Sequence, residues 1–303
     1  MNHRVRQILP FLFLAAAGSL WGTGFLFGKI AFYEMTVSEN VAFRFLVAAV
    51  ALSPVLLWRR QSFRAKDWRL LLLAALIGVP VQFLLQFKGL QLTTVSHASL
   101  IVGVLPVLLA LSSAVFLNER LHGVEWGMLA LSATGAVLIA FSSRNTISGP
   151  QPTAKGDFLV LLAMFAAVAM TLCTKRLVND YDALHVTATM MVAGMIMLLI
   201  WVELTHPLRF HFSPKTWVAV VAQGLLATAA AYLFWNLGLS RIPASRAGIF
   251  LNLEPVVGTL LGVAILHEKL GKMALLGGIL IVGAAVYFSR RSQSASKSIT
   301  AES

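Results

Sequence analysis

Charge is scarce in this 303-residue chain: 12% of its residues are Asp, Glu, Lys or Arg, where a soluble domain carries about a quarter. That shortage, beside a 58% hydrophobic share, excludes an ordinary water-soluble globule and leaves an integral membrane protein. Cysteine is nearly absent too. The single Cys173 can close no disulfide within the chain and reads as a buried, inert thiol. Strand-length alternation of polar and apolar residues is missing, which argues against a membrane β-barrel. The apolar runs are continuous, so helices must satisfy the backbone internally. Phosphate-cradling loops are missing as well. Gly28-Lys29 runs on into Ile30, and Gly271-Lys272 into Met273; neither is a P-loop, so ATP is not the direct energy source. GTG in the first apolar run follows no strand, and HEKLG at 267–271 lacks the second histidine of a zinc-protease helix. No cofactor is expected. No metal site is expected at His97 either, because no second ligand lies at helical spacing from it.

The apolar stretches dominate what is present. About 20 helical residues at 1.5 Å rise cross a hydrocarbon layer of about 30 Å, and ten stretches approach that length. They are Ile8 to Gly28, Asn40 to Trp58, Leu70 to Phe87, Val95 to Leu117, Trp126 to Phe141, Phe158 to Thr174, Val186 to Leu204, Trp217 to Leu237, Ala244 to Leu266 and Met273 to Phe288. The first resembles a secretory leader with small residues at Ala15 to Ala17, but its apolar character continues to Lys29, so it is expected to stay as the first helix. The net charge of +12 is distributed for a membrane rather than for nucleic acid. With the amino terminus cytoplasmic, 14 of the Lys and Arg residues fall inside, 8 outside and 2 within helices, the positive-inside bias with both termini cytoplasmic. WRRQSFRAKDWR at 58–69 contributes most of it and reads as a topology signal at anionic headgroups. The expected location is the bacterial inner (plasma) membrane.

The chain also repeats itself. KGLQLTTVSHASLIVGVLPVLLALSSAVFLNERL, from Lys88, aligns without gaps onto LGLSRIPASRAGIFLNLEPVVGTLLGVAILHEKL, from Leu237, at an offset of 149. Gly89 meets Gly238, Ser96 meets Ser245, Pro106 meets Pro255 and Glu119 meets Glu268; Lys29 meets Lys175 at a slightly smaller offset. Five helices per half is an odd number, so the second half enters the membrane upside down. The organisation expected is a first repeat over 1–143 and an outer connecting loop over 144–157. A second repeat over 158–289 and a cytoplasmic tail over 290–303 complete it. Inverted repeats suit secondary transport, because the halves exchange conformations around a central site.

With WGTGFLFGK at 21–29, FRF at 43–45, the run from Pro106 to Arg120 and LEPVVGTLLGVAILHEKL at 253–270, the chain resembles the drug/metabolite transporter superfamily, and within it the EamA-type ten-helix exporters. The resemblance implies an all-α membrane fold, with ten transmembrane helices arranged as two inverted five-helix repeats around a central cavity. It further implies export of small solutes by alternating access, with exporters of aromatic and other amino acids the most similar members.

The residues themselves nominate a site. Glu254 stands about ten residues from either end of its apolar run, near mid-membrane, and Pro255 beside it bends the helix and frees carbonyls one turn earlier. Glu254 either binds a substrate amine, exchanges a proton, or holds the kink through a neighbouring helix. Pro106 is the matching kink in the first half. Trp21 on the first helix, Gln82 and Gln86 on the third, and Tyr232, Trp235 and Asn236 on the eighth supply aromatic surface beside amides, suited to a small amphiphilic solute. The same groups could instead be packing and interhelical hydrogen bonds, as could Asn252. Gly18/Gly22 and Gly24/Gly28 make two small-xxx-small pairs on the first helix. His97 and Arg246, at equivalent positions of the halves, are candidate gates or interfacial residues; Arg44 and Lys29 are further charge candidates, Arg44 either reaching a substrate carboxylate, snorkelling outward or pairing with Glu39. The partners expected are a small-molecule substrate, the lipid bilayer, and a proton or counter-solute. The alternatives are a phosphate-ester or nucleotide-sugar-type antiporter, a cationic drug exporter, and an intramembrane enzyme, which would cluster a nucleophile, base or metal ligands at one depth.

Overall fold

The computed structural model describes residues 3–58, 61–92, 101–119, 121–142, 153–205, 208–266 and 272–301. Helix fills almost all of them, and no strand occurs among them. In chain order the elements are α1 (His3–Ala31), α2 (Val37–Trp58), α3 (Ala65–Leu92), α4 (Leu105–Phe116) and α5 (Gly123–Ser142). They continue with α6 (Ala154–Asp180), α7 (Ala183–Thr205), α8 (Pro214–Leu239), α9 (244–266) and α10 (Lys272–Ala301). Six of these, α1, α2, α3, α6, α7 and α8, are long and apolar enough to cross a membrane, and shorter apolar helices lie at Leu105–Phe116, Gly123–Leu138 and Leu275–Tyr287. His97 and the start of the expected fourth span lie outside the described residues.

Helix starts follow local chemistry. Thr36 and Glu39 form a reciprocal capping box at α2: the Thr36 amide donates to Glu39 Oε2 at 2.8 Å and the Glu39 amide to Thr36 Oγ1 at 3.3 Å. Ser213 caps α8 with Pro214 in its first turn, where the missing proline N–H costs nothing. Two helices contain a π turn, Ile77–Val81 in α3 and Leu225–Ala230 in α8, at positions about 149 residues apart. The expected continuous ninth span is instead built in three pieces: an α turn Ala244–Ala247, a 3-10 stretch Gly248–Asn252 and an α-helix Leu253–Leu266. Pro255 explains the tightening, since it offers no N–H to the carbonyl of Leu251 and its ring crowds that carbonyl.

The packing has a mirrored plan. Helix α1 packs on α8 as α3 packs on α6, while α2 pairs with α7 and α5 with α10. Single residues obey it as well. A Cβ on Gly89 would lie 2.9 Å from the Gly156 carbonyl and 2.7 Å from Val160; on its duplicate Gly238 it would lie 3.0 Å from the Pro10 carbonyl and 2.6 Å from Leu14. Gly156 and Val160 each follow Pro10 and Leu14 by the same number of residues, so both glycines permit one and the same close helix crossing.

Loops at the two ends share a motif that the apolar pattern conceals. FRAKDW at 63–68 and FSPKTW at 212–217 keep Phe, Lys and Trp at the offset of 149. Phe63 meets Trp68 edge-on at 5.3 Å, and Phe212 meets Trp217 edge-on at 5.9 Å. Each loop is tied to the helix hairpin of the other half. Arg64 pairs with Asp180 at 2.8 Å, and Arg209 pairs with Glu39 at 2.7 Å. The Ser213 amide donates to Glu34 Oε2 at 2.7 Å, which with the Ser213 hydroxyl holds that exposed carboxyl below its usual range.

Candidate functional site

Helix α1 seats the site. Its glycines point two ways: a Cβ on Gly18 would lie 2.2 Å from the Phe250 carbonyl and one on Gly22 2.6 Å from the carbonyl of Glu254, whereas Gly24 and Gly28 face Ala227 and Gln223 of α8. The backbone carrying Glu254 therefore rests directly on α1, an approach that any side chain at position 22 would prevent. The Glu254 carboxylate is half-buried and makes no hydrogen bond or ion pair among the described residues. Arg44, from the first half of the chain, is a buried cation of this region, and Tyr232 is buried on α8.

Arg44 is 4% exposed, so burial of its charge needs partners. The π turn of α8 supplies them. Arg44 Nε donates to Thr228 Oγ1 at 3.0 Å and Nη2 to the Ala227 carbonyl at 3.4 Å, with the guanidinium 4.9 Å from the centre of the Phe83 ring. One extra residue in a helical turn misaligns the backbone ladder and turns acceptors outward, and Thr228 Oγ1 in turn donates to the Gln223 carbonyl at 3.1 Å. Arg44 thus neither snorkels outward nor pairs with Glu39, which is taken by Arg209.

Aromatic rings wall the same region. Trp21 stands 5.4 Å from both Tyr232 and Trp235. Gln82 precedes Phe83 and is 8% exposed; its Oε1 is buried without a hydrogen-bond partner among the described residues. Gln86 is half-buried one turn further along α3.

Other candidates are engaged elsewhere. Asn236 donates to Thr187 Oγ1 on α7 at 2.8 Å, and Asn252 to Ser132 Oγ on α5 at 2.9 Å. Arg246 pairs with Glu125 at 3.0 Å rather than reaching for headgroups, and Lys29 is exposed at the end of α1. Pro106 stands in the first turn of α4, and Pro255 just inside the last piece of α9. Several residues escaped the sequence reading. Asn40 donates to Gln223 Oε1 at 3.0 Å, and Gln223 Nε2 to the Gly24 carbonyl at 3.0 Å, a relay joining α2, α8 and α1 through two fully buried amides. Polar residues within apolar runs were its only signal.

Chemically, the region offers one carboxylate without a bonded partner among the described residues, one buried cation, an unused amide oxygen and three large rings. That set suits an amphiphilic ligand with an apolar body. No group of three or more possible metal ligands occurs among the described residues. A cleft of about 310 Å³ lies elsewhere, at the ends of α1, α6 and α8, lined by residues such as Leu9, Phe13, Tyr181 and Arg241. It shares none of the central residues.

The model of the EamA-like transporter family matches the chain twice, over residues 8–141 and 154–290. YetK of Bacillus subtilis strain 168, named an uncharacterized transporter, is 26% identical over 288 residues, covering 91% of this chain and 87% of YetK. An uncharacterized transporter of Archaeoglobus fulgidus is 28% identical over 288 residues, covering 93% of this chain and 97% of that protein. One crystal structure, 21% identical, superposes with a TM-score of 0.78 over 93% of this chain and 98% of its own, a likeness of fold alone. On these two successive matches this membrane protein belongs to the EamA-like transporter family.

Proposed function

We propose that the chain is a secondary transporter that exports small amphiphilic metabolites, amino acids or related amines, by alternating access. Its two five-helix halves lie in opposite orientations in the bacterial inner membrane, with both termini cytoplasmic. The mirrored helix contacts, the paired π turns and the doubled family match support that arrangement. The observation that carries the reading is Glu254, a carboxylate midway along an apolar run that makes no hydrogen bond or ion pair among the described residues. A half-buried carboxylate within an apolar run persists only where something compensates it, whether a substrate amine, a proton or water. A proton or a counter-solute is the coupled species.

A phosphate-ester antiporter fits less well. It needs several cations converging on one point, whereas Lys175 is bonded to the Leu239 and Ile242 carbonyls, Arg246 to Glu125, and two Arg44 nitrogens to α8. The test is flux of a labelled amino acid through liposomes containing the purified protein, with amino acids, cationic drugs and phosphorylated metabolites as competitors. Competition by amino acids or amines is expected. Competition by phosphorylated metabolites alone, or turnover of any solute into a new compound, would overturn the reading.

A further inference from the structure

The turn between α8 and α9 is held from both poles. A helix ends in unpaired carbonyls with partial negative charge and begins with unpaired amides with partial positive charge; here a cation takes the first and an anion the second. Lys175 Nζ, on α6 and 8% exposed, donates to the carbonyls of Leu239 at 2.6 Å and Ile242 at 3.0 Å. The Glu119 carboxylate, just past α4, accepts from the amides of Ala244 at 3.0 Å and Ser245 at 2.8 Å. Both side chains come from outside the hairpin they grip. The same rail continues along α9, where Arg246 meets Glu125 at 3.0 Å and Asn252 meets Ser132 at 2.9 Å. Glu254 follows two residues later.

We infer that Lys175 and Glu119 form a latch on the α8–α9 turn, and that its release frees the first two segments of α9 to move and with them shift Glu254, at the start of the third, from one aqueous access to the other. The inference rests on the transport reading. It makes Glu119 and Lys175 positioning residues, acting on the solute only through α9. Side-chain hydrogen bonds that could be satisfied by water are cheap to exchange, so such a latch can open within a transport cycle without unfolding any helix.

The test uses the full-length protein in liposomes, with Cys173→Ser and a reporter Ser245→Cys, a position 3% exposed. Labelling of that thiol by a hydrophilic maleimide should quicken about tenfold in Glu119→Gln, and at least as much in Lys175→Met, which removes both donated bonds, about tenfold being the equilibrium change expected for each hydrogen bond to a charged group that is lost. Lys175→Arg, which keeps a donor, should restore slow labelling, and a transported solute should alter the rate while the latch is intact. A static cap would show no response to solute. Unchanged labelling in both variants overturns the latch. Independently, joining Glu125→Cys to Arg246→Cys with a short reducible crosslinker should stop flux until reductant is added, and flux through fully crosslinked protein overturns it too. If the unmodified protein moves no solute, the transport reading fails, and the labelling still tests the latch.

Discussion

Replacing Gly22 by alanine tests the seat of Glu254. The added Cβ would lie 2.6 Å from the Glu254 carbonyl oxygen, 2.8 Å from Val257 Cβ and 3.0 Å from the Gly258 amide nitrogen. Carbon atoms rest at about 3.5 Å or more, so α1 and α9 must part by about 0.7 Å. All three obstacles are backbone or the first side-chain carbon, and no rotamer change relieves them. Overpacking of this kind costs about 1–3 kcal/mol, and a misplacement near 1 Å at a working site can cost about a hundredfold in rate. The expected result is a lowered melting temperature and at least about tenfold slower flux in liposomes, rate falling more than affinity. Two glycines calibrate it. A Cβ on Gly24 would meet only Ala227 Cβ, at 3.2 Å, and one on Gly127 would meet nothing within 4 Å, so Gly24→Ala should be mild and Gly127→Ala neutral or slightly stabilising. Wild-type flux and stability in Gly22→Ala, or greater damage from Gly24→Ala, would refute the reasoning.

Glu254→Gln should insert and fold normally yet lose transport, measured as flux across a pH series; full transport at every pH would defeat the assignment. Arg44→Met removes the bonds to Thr228 and Ala227 and should cost about 1.5–3 kcal/mol in melting experiments, as well as flux, whereas Arg44→Lys should keep more stability than flux. In a double-mutant cycle, Asn252→Ala and Ser132→Ala should show a coupling energy of about 1 kcal/mol, because each single change strands a buried polar partner. The folded-state pKa of Glu34 is lowered, so its tie to Ser213 contributes stability above the ordinary carboxylate pKa and loses it as pH falls through the folded value. Glu34→Gln should therefore flatten the acid limb of a melting-temperature profile, and an unaltered limb would count against that tie.

The parts of the fold that were legible in the sequence are those fixed by solvent and by backbone proximity. Apolar runs announced helices because lipid leaves the backbone no other partner. Gly89 and Gly238 betrayed the repeat because each allows a helix crossing that no other residue permits. The protein acceptors of Arg44 are not legible from periodicity: they come from a π turn in α8, a one-residue insertion with no compositional mark. Asn236 and Asn252 were recognisable as membrane amides, but not their choice of Thr187 and Ser132, since partners across 49 and 120 positions depend on tertiary packing. Glu119 stood out as a duplicated residue while its task, capping Ala244 and Ser245, stayed hidden. Its duplicate Glu268 lies outside the described residues. The loop motif at Phe63 and Phe212 is hard to read from sequence because three matched residues among polar neighbours carry little weight until both ring pairs are seen to meet edge-on.

The most direct measurement is the accessibility of position 254 itself. With Cys173→Ser and Glu254→Cys in membrane vesicles of each orientation, a membrane-impermeant thiol reagent should label the residue from either side. A thiol at 254 that no reagent reaches from either compartment, or one reached from a single side under every condition, would contradict a passage that opens alternately around Glu254.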